Sequence, residues 1–194
     1  DKEVRQCLMW ILRTIKEKIY NSAKHRQEVF FNYRYESILD LHSYGHDIET
    51  AWLIDRTCEI LGDSNITADM GEITSDLVRE IYDKAYHKHS LWNECEKGVA
   101  DKSRIWWVQA EGVVGFLNAY QKDKSKKEYM QAVLDLWQYI KEKLVDQRGG
   151  SEWFWKLDDE GKPSSKQPIV EPWKCPYHNG RMCFEIIRRN VDVT

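Results

Sequence analysis

The sequence is short of most features that mark a specialised class. It has only four prolines, all gathered in one late stretch, 163–176. No apolar run approaches the ~20 residues that a bilayer-spanning helix needs, which excludes a helical membrane span. Neither sign of charge dominates: 29 Lys+Arg stand against 32 Asp+Glu, a formal −3. Binding driven by phosphate neutralisation therefore has no support, and nucleic acid is excluded as a partner. The five cysteines, Cys7, Cys58, Cys95, Cys175 and Cys183, are odd in number, widely spaced and without a C-x-x-C pair. That pattern fits neither a disulfide framework nor a zinc ribbon, and the expected setting is a reducing cytoplasm. No signal peptide is visible in the charged first residues. The H-E-x-x-H arrangement is absent too. His42 and His46 are four apart and Glu49 follows, but Ser43-Tyr-Gly45 interrupts the helix that would put both rings on one face, so no metal site is expected. There is no strict repeat and no low-complexity segment.

Against these absences stand nine Trp and ten Tyr beside five Phe. Rings with a polar handle suit surfaces that are partly apolar and partly wet, including clefts where ring faces stack on sugars, although Trp also fills cores. The length allows one good-sized domain or a large piece of a bigger one. The chain opens on Asp1, with Val4, Leu8, Ile11, Leu12, Ile15 and Ile19 already at helical spacing. It is therefore expected to begin inside an element, as a part of a longer protein.

Periodicity predicts helices over about 2–20, from His46 to Leu61 with Gly62 closing it, over 74–87 with Thr74 or Ser75 as N-cap, over 103–121, over 125–145 ended by Gly149-Gly150, and near 180–189. The aromatic and β-branched stretch 28–35 reads as a short strand, 88–102 as loop, and Asp159-Glu-Gly161 as a turn. Helix 103–121 is apolar around more than half its circumference, whereas 125–145 has one apolar face. A more buried helix alternates with a more exposed one, which predicts an all-α fold of helix pairs curling into a layered α/α arrangement, with short hairpins in the connections.

His25, His87 and His89 lie in polar stretches and are set aside. His46 falls in the first turn of a buried helix, where unpaired N–H groups and the positive dipole end favour a neutral imidazole able to act as a base. Glu49, three residues on, either lies beside the ring and favours its protonated form or caps the backbone at Gly45. His178, in Trp173-Lys-Cys-Pro-Tyr-His-Asn-Gly-Arg181, precedes a short helix for which Asn179 is the expected N-cap. In a barrel whose inner helices point the same way, both histidines reach one end of the cavity, where a two-sided acid/base couple can form. Glu111, inside the apolar helix and on the face of Trp107, is costly to bury unless paired or functional.

Three segments, Ser43-Tyr-Gly-His-Asp-Ile-Glu49, Trp106-Trp-Val-Gln-Ala-Glu111 and Trp173-Lys-Cys-Pro-Tyr-His-Asn-Gly-Arg-Met-Cys183, resemble in order and spacing motifs of the N-acylglucosamine 2-epimerase superfamily, in the form its disaccharide epimerases carry. The resemblance implies an (α/α)6 barrel of which residues 1–194 are the C-terminal half, the N-terminal half lying outside this chain. It implies C2 epimerisation of the reducing-end glucose of a β-1,4-linked disaccharide such as cellobiose to mannose, through ring opening and an enediolate, with no cofactor. His46 and His178 become the acid/base pair, with Glu49 orienting His46. Arg181 and Glu111 bind or polarise the sugar, while Trp106 or Trp107, together with Trp173, stacks on it. The same superfamily leaves open an N-acylglucosamine 2-epimerase or an aldose–ketose isomerase. Two other classes stay open: a glycoside hydrolase on the same toroid using Glu49 and Glu111, and a non-catalytic sugar-binding fragment. A half-toroid leaves two apolar seams, one expected at helix 103–121 and one at Trp10 and Leu12. The fragment is thus expected to need its other half or to self-associate, and to be inactive alone.

Overall fold

The computed structural model describes residues 1–164 and 167–190. Six α-helices carry the architecture: α1 (Lys2–Thr14), α2 (Tyr44–Leu61), α3 (Ser64–Ala85), α4 (Trp106–Lys122), α5 (Lys127–Tyr139) and α6 (Tyr177–Arg189). Amphipathic α3 and α5 flank α2 and α4, whose apolar residues close the core: Ile48, Ile54 and Trp52 on α2, and Val108, Val113, Phe116 and Leu117 on α4. At the α2–α4 crossing Gly115 has no room for a side chain, since a Cβ there would stand 2.9 Å from the carbonyl oxygen of Ile48. The bare glycine lets the two backbones approach. This is the layered helix-pair arrangement that the alternating pattern predicts.

The helix ends follow local chemistry. Asp1 caps α1 by accepting from Glu3 N and Val4 N, and Gly62 closes α2 in the left-handed conformation at φ 63°. Ile15–Ile19 extends α1 as a π-helical turn, and Ile140–Leu144 does the same for α5. The two turns have nearly the same sequence, Ile-Lys-Glu-Lys followed by Ile or Leu, so one pentapeptide ends two outer helices alike.

Several boundaries differ from expectation. Helix α3 begins at Ser64, ten residues earlier than predicted, because Asp63 accepts from Asn65 N and Ile66 N and nucleates it there. Thr74 and Ser75 are interior residues whose hydroxyls donate to the carbonyl of Gly71. Helix α5 and its π turn stop at Leu144, before the two glycines. Helix α6 begins at Tyr177, so Asn179 is not its cap: the N-cap position is Pro176, which has no side chain to donate or accept.

The strands are very short. β1 (Tyr20–Asn21) and β2 (Arg26–Gln27) form a hairpin, as do β4 (Tyr86–His87) and β5 (Ser90–Leu91). β3 (Leu41–Ser43), β6 (Glu94–Glu96) and β7 (Val99–Asp101) make a three-stranded antiparallel sheet in that order, and β8 (Arg104–Ile105) pairs with β9 (Lys156–Leu157). The 88–102 segment is thus largely strand rather than loop. Its two tight turns, Lys88-His89 and Lys97-Gly98, have positive φ at both central residues, as hairpins of this type require. Conversely, 28–35 is not a strand. Phe31 makes a single bridge to Ser37, and Tyr33 projects into solvent without a cross-strand neighbour.

Apolar exposure also falls differently. Helix α4 is largely buried within this chain and forms no seam, while of the two residues expected at the other seam Leu12 is buried and Trp10 exposed. Exposed large apolar side chains include Val4, Trp10 and Ile11 on α1 and Phe184 and Ile187 on α6, with others on α2 and in the connections, such as Ile60, Val99 and Trp173. Among the described residues no helix is long and apolar enough to cross a membrane, and the five cysteines are free.

Candidate active site

The first turns of α2, α4 and α6 converge on one place. Each of these helices follows an outer helix and an irregular connection, so the same end of each meets at the same side of the molecule. His46 comes from α2, Trp107 and Glu111 from α4, and His178 and Arg181 from α6.

Trp107 is the pivot of the group. The His46 ring lies 4.9 Å from the indole and the His178 ring 5.3 Å from it, centroid to centroid. The indole reaches this position because residue 45 is glycine: a Cβ on Gly45 would stand 2.4 Å from Trp107 Cη2. Trp106, its neighbour, turns the other way and is buried against Trp155, with the Lys174 ammonium 5.4 Å from its ring. Of the two tryptophans offered by the sequence, only Trp107 touches the histidines. Trp173 is 82% exposed and packs on none of the site rings.

Glu111 is the buried anchor. Its Oε1 accepts from His178 Nδ1 at 2.8 Å and from an Arg181 guanidinium nitrogen at 2.7 Å, and its Oε2 accepts from Trp52 Nε1 at 2.9 Å. The cost of burying this carboxylate is offset by three donors, one of them a full cation. A carboxylate oxygen accepts here, which places the proton of this hydrogen bond on His178 Nδ1 and leaves Nε2 outside it. Arg181 also pairs with Glu49 and stands 5.1 Å from the Trp52 ring and 4.6 Å from the Tyr177 ring. Burial opposes its charge, but Glu111 and Glu49 outweigh burial and push its pKa above the ordinary guanidinium value.

Glu49 does not orient His46. Its carboxylate is drawn to Arg181, and the partner of His46 Nδ1 is the Ser43 hydroxyl, 2.7 Å away. Ser43 Oγ is turned to the ring, and Ser43, at the N-cap of α2, accepts no capping hydrogen bond with its side chain. His46 is exposed. Glu49, Glu111 and His178 bring one possible ligand atom each within 4.8 Å of one another. Arg181 already supplies a cation to both of those carboxylates.

Sequence reasoning missed four contributors. Trp52, read as core, lies three residues after Glu49 on the same helix face, a spacing that could have flagged it. Ser43 and Tyr177 were inside quoted motifs without a role. His42, set aside as half of a metal pair, is buried with Nε2 2.9 Å from Asp47 Oδ2. Asp47 Oδ1 in turn accepts from the Gln27 backbone and side chain, at 3.2 and 3.1 Å. This cluster pins the N-terminal turn of α2, which carries His46.

Two imidazoles against one indole, a buried carboxylate behind one of them and a guanidinium alongside thus gather at one end of an α/α scaffold. The chain belongs to the N-acylglucosamine 2-epimerase family, whose model matches residues 5–179. It is 48% identical over 94% of its length to cellobiose 2-epimerase of Eubacterium cellulosolvens, and 47% identical over 97% to that of Dictyoglomus turgidum. It covers 44% and 48% of those two proteins, so the chain spans about half the length of the curated relatives it matches. Among solved structures it superposes on a sugar epimerase from a ruminal bacterium with a TM-score of 0.96 at 40% identity, covering 99% of this chain and 49% of that one. A D-mannose isomerase shares the fold at 22% identity and a TM-score of 0.66 over 76% of this chain and 37% of that one.

Proposed function

We propose that the chain forms one half of an (α/α)6 barrel, the C-terminal half, and that the complete barrel epimerises C2 of the reducing-end glucose in a β-1,4-linked disaccharide such as cellobiose. The observation that carries this reading is the pair His46 and His178 on one indole, each with Nδ1 engaged by protein, which leaves both Nε2 atoms for proton transfer. In the ring-opened aldose one Nε2 takes the C2 proton. The C–H electron pair becomes the C1–C2 double bond of an enediolate, and charge moves to O1. The other histidine returns a proton to the opposite face of C2, the electrons fall back, and glucose becomes mannose. The step is redox-neutral and needs no cofactor. Arg181, held in place by Glu111 and Glu49, supplies the positive charge that stabilises the enediolate oxygen. Trp107 supplies the apolar floor under the sugar, and Glu111 keeps the His178 tautomer.

The hydrolase alternative loses its support because Glu49 and Glu111 share one guanidinium instead of standing free across a scissile bond. The test is turnover of cellobiose in heavy water by the full-length polypeptide. Deuterium is expected at C2 of the reducing glucose and of the mannose product. Protium retained at C2 under conditions of free exchange would point to hydride transfer and sink the mechanism. His46→Asn and His178→Asn should each lower the rate by ~100-fold or more without loss of fold, the usual worth of a general acid or base.

A further inference from the structure

Lys174 lies just before α6, and its side chain is fully buried. A lysine in a loop normally keeps its ammonium in water by extending its stem, and burying the charge is costly unless it is paired. Here the ammonium pairs with Glu152 over the face of Trp106. Glu152 has a second oxygen, Oε1, which accepts from Asn179 Nδ2. Asn179 follows His178 directly. The backbone of Glu152 is itself fixed: its carbonyl accepts from Asp146 N at 2.8 Å, and Phe154 N donates to Leu144 O at 2.8 Å, which ties this segment to the end of the α5 unit.

Helix α6 needs such a tie. It has no side-chain cap at Pro176, and Tyr177, Phe184 and Ile187 are exposed, so much of its surface is not held by packing. What holds its first turns is a group of carboxylates. Glu111 and Glu49 hold Arg181, Glu111 also holds His178, and Glu152 holds Asn179. Unpaired N–H groups and the positive dipole end favour negative charge at this end of a helix.

We propose that Glu152 is a positioning residue for His178. With Lys174 on one carboxylate oxygen and Asn179 on the other, it sets the first turn of α6 relative to α4, and so sets the His178 ring against Glu111 and Trp107. The same carboxylate neutralises the ammonium of Lys174, whose side chain is fully buried. The inference rests on reading His178 as a proton-transfer group, but its geometric part can be tested without turnover.

The chain is labelled with 15N-histidine, and the ring signals of His178 and His46 are followed in Glu152→Gln and Asn179→Leu. Both variants should move the His178 signals and leave those of His46 in place. In the full-length enzyme both should lower kcat ~10–100-fold with KM held within about twofold, because a small misplacement of a reacting group costs rate more than binding. The double variant Glu152→Gln/Lys174→Met removes both charges and keeps an amide oxygen that can accept from Asn179. It should return the His178 signals and most of kcat, a coupling that independent sites would not give. Asn179→Leu keeps the ion pair intact and decides the matter if Glu152→Gln fails to fold. Unchanged His178 signals in Asn179→Leu, joint movement of His178 and His46, or a double variant that recovers melting temperature but not kcat would each overturn the proposal. His178 signals that move as expected in an enzyme without epimerase turnover would instead remove the functional reading and leave the positioning intact.

Discussion

Replacing Gly45 with alanine tests whether the close approach of α2 to Trp107 holds the site together. The added Cβ would stand 2.4 and 2.5 Å from Trp107 Cη2 and Cζ3 and 2.9 Å from Val108 Cγ2. Carbon atoms rest at ~3.5–4.0 Å, so the indole must withdraw by roughly 1 Å. Two effects compete. Alanine in a helix is worth ~1 kcal/mol over glycine, whereas overpacking a filled site costs ~1–3 kcal/mol. Residue 45 lies in the first turn of α2, where the helix gain is smallest, and the clash is with a large ring that two histidines flank. The steric term should win by roughly 1–2 kcal/mol, lowering the melting temperature by about 3–6 °C for a chain of this size. The signals of both His46 and His178 should move with the indole. Gly71→Ala is the control: it is also in a helix, and a Cβ there meets nothing within 4 Å, so it should raise stability by ~0.5–1 kcal/mol. Thermal melts of the two variants give the answer. A Gly45→Ala protein that melts as high as Gly71→Ala, with both histidine signals unmoved, would refute the reasoning.

Asp135 sets an acid dependence. Burial pushes its pKa up, but hydrogen bonds from Tyr86, His89 and Gln131 outweigh burial and hold it below the ordinary carboxylate value. A depressed pKa contributes stability that is present above about pH 4 and is lost as pH falls through the folded value. Asp135→Asn should therefore narrow the gap between melting temperatures measured at neutral and at strongly acid pH; an unchanged gap would remove Asp135 from the acid response. The uncovered apolar residues of α1 and α6 predict that the 194-residue chain self-associates or pairs with the other half of its barrel when that is supplied in trans. Light scattering reads this directly, and a stable monomer at high micromolar concentration with full epimerase activity would contradict the half-barrel reading.

Much of the site was legible because its residues stand in compact local patterns. His46 three residues before Glu49, and His178 three before Arg181, put two charged or titratable groups on one helix face wherever a helix forms. Glu111 stood out as an acid within an apolar helix. Strands of two or three residues are too short to show alternation, which is why 86–87 reads as the end of a helix and 88–102 as loop, while the aromatic run 28–35 reads as a strand. Asp63 starts α3 through two backbone contacts, a local signal overlooked in favour of the later Thr74 and Ser75.

The sequence by itself determined the helix-pair architecture, the family motifs and the set of chemically active side chains, because apolar period and residue type are properties of the chain. Which group faces which was decided by the tertiary structure. Glu49 is three residues from His46, yet its charge is drawn to Arg181, 132 positions away, because a guanidinium shared with buried Glu111 offers a stronger partner than a ring already held by Ser43. Trp106 and Trp107 are chain neighbours that a helix turns about 100° apart. Only the packing of α2 over α4, permitted by the missing side chain at Gly45, decides that Trp107 faces the histidines and Trp106 the core.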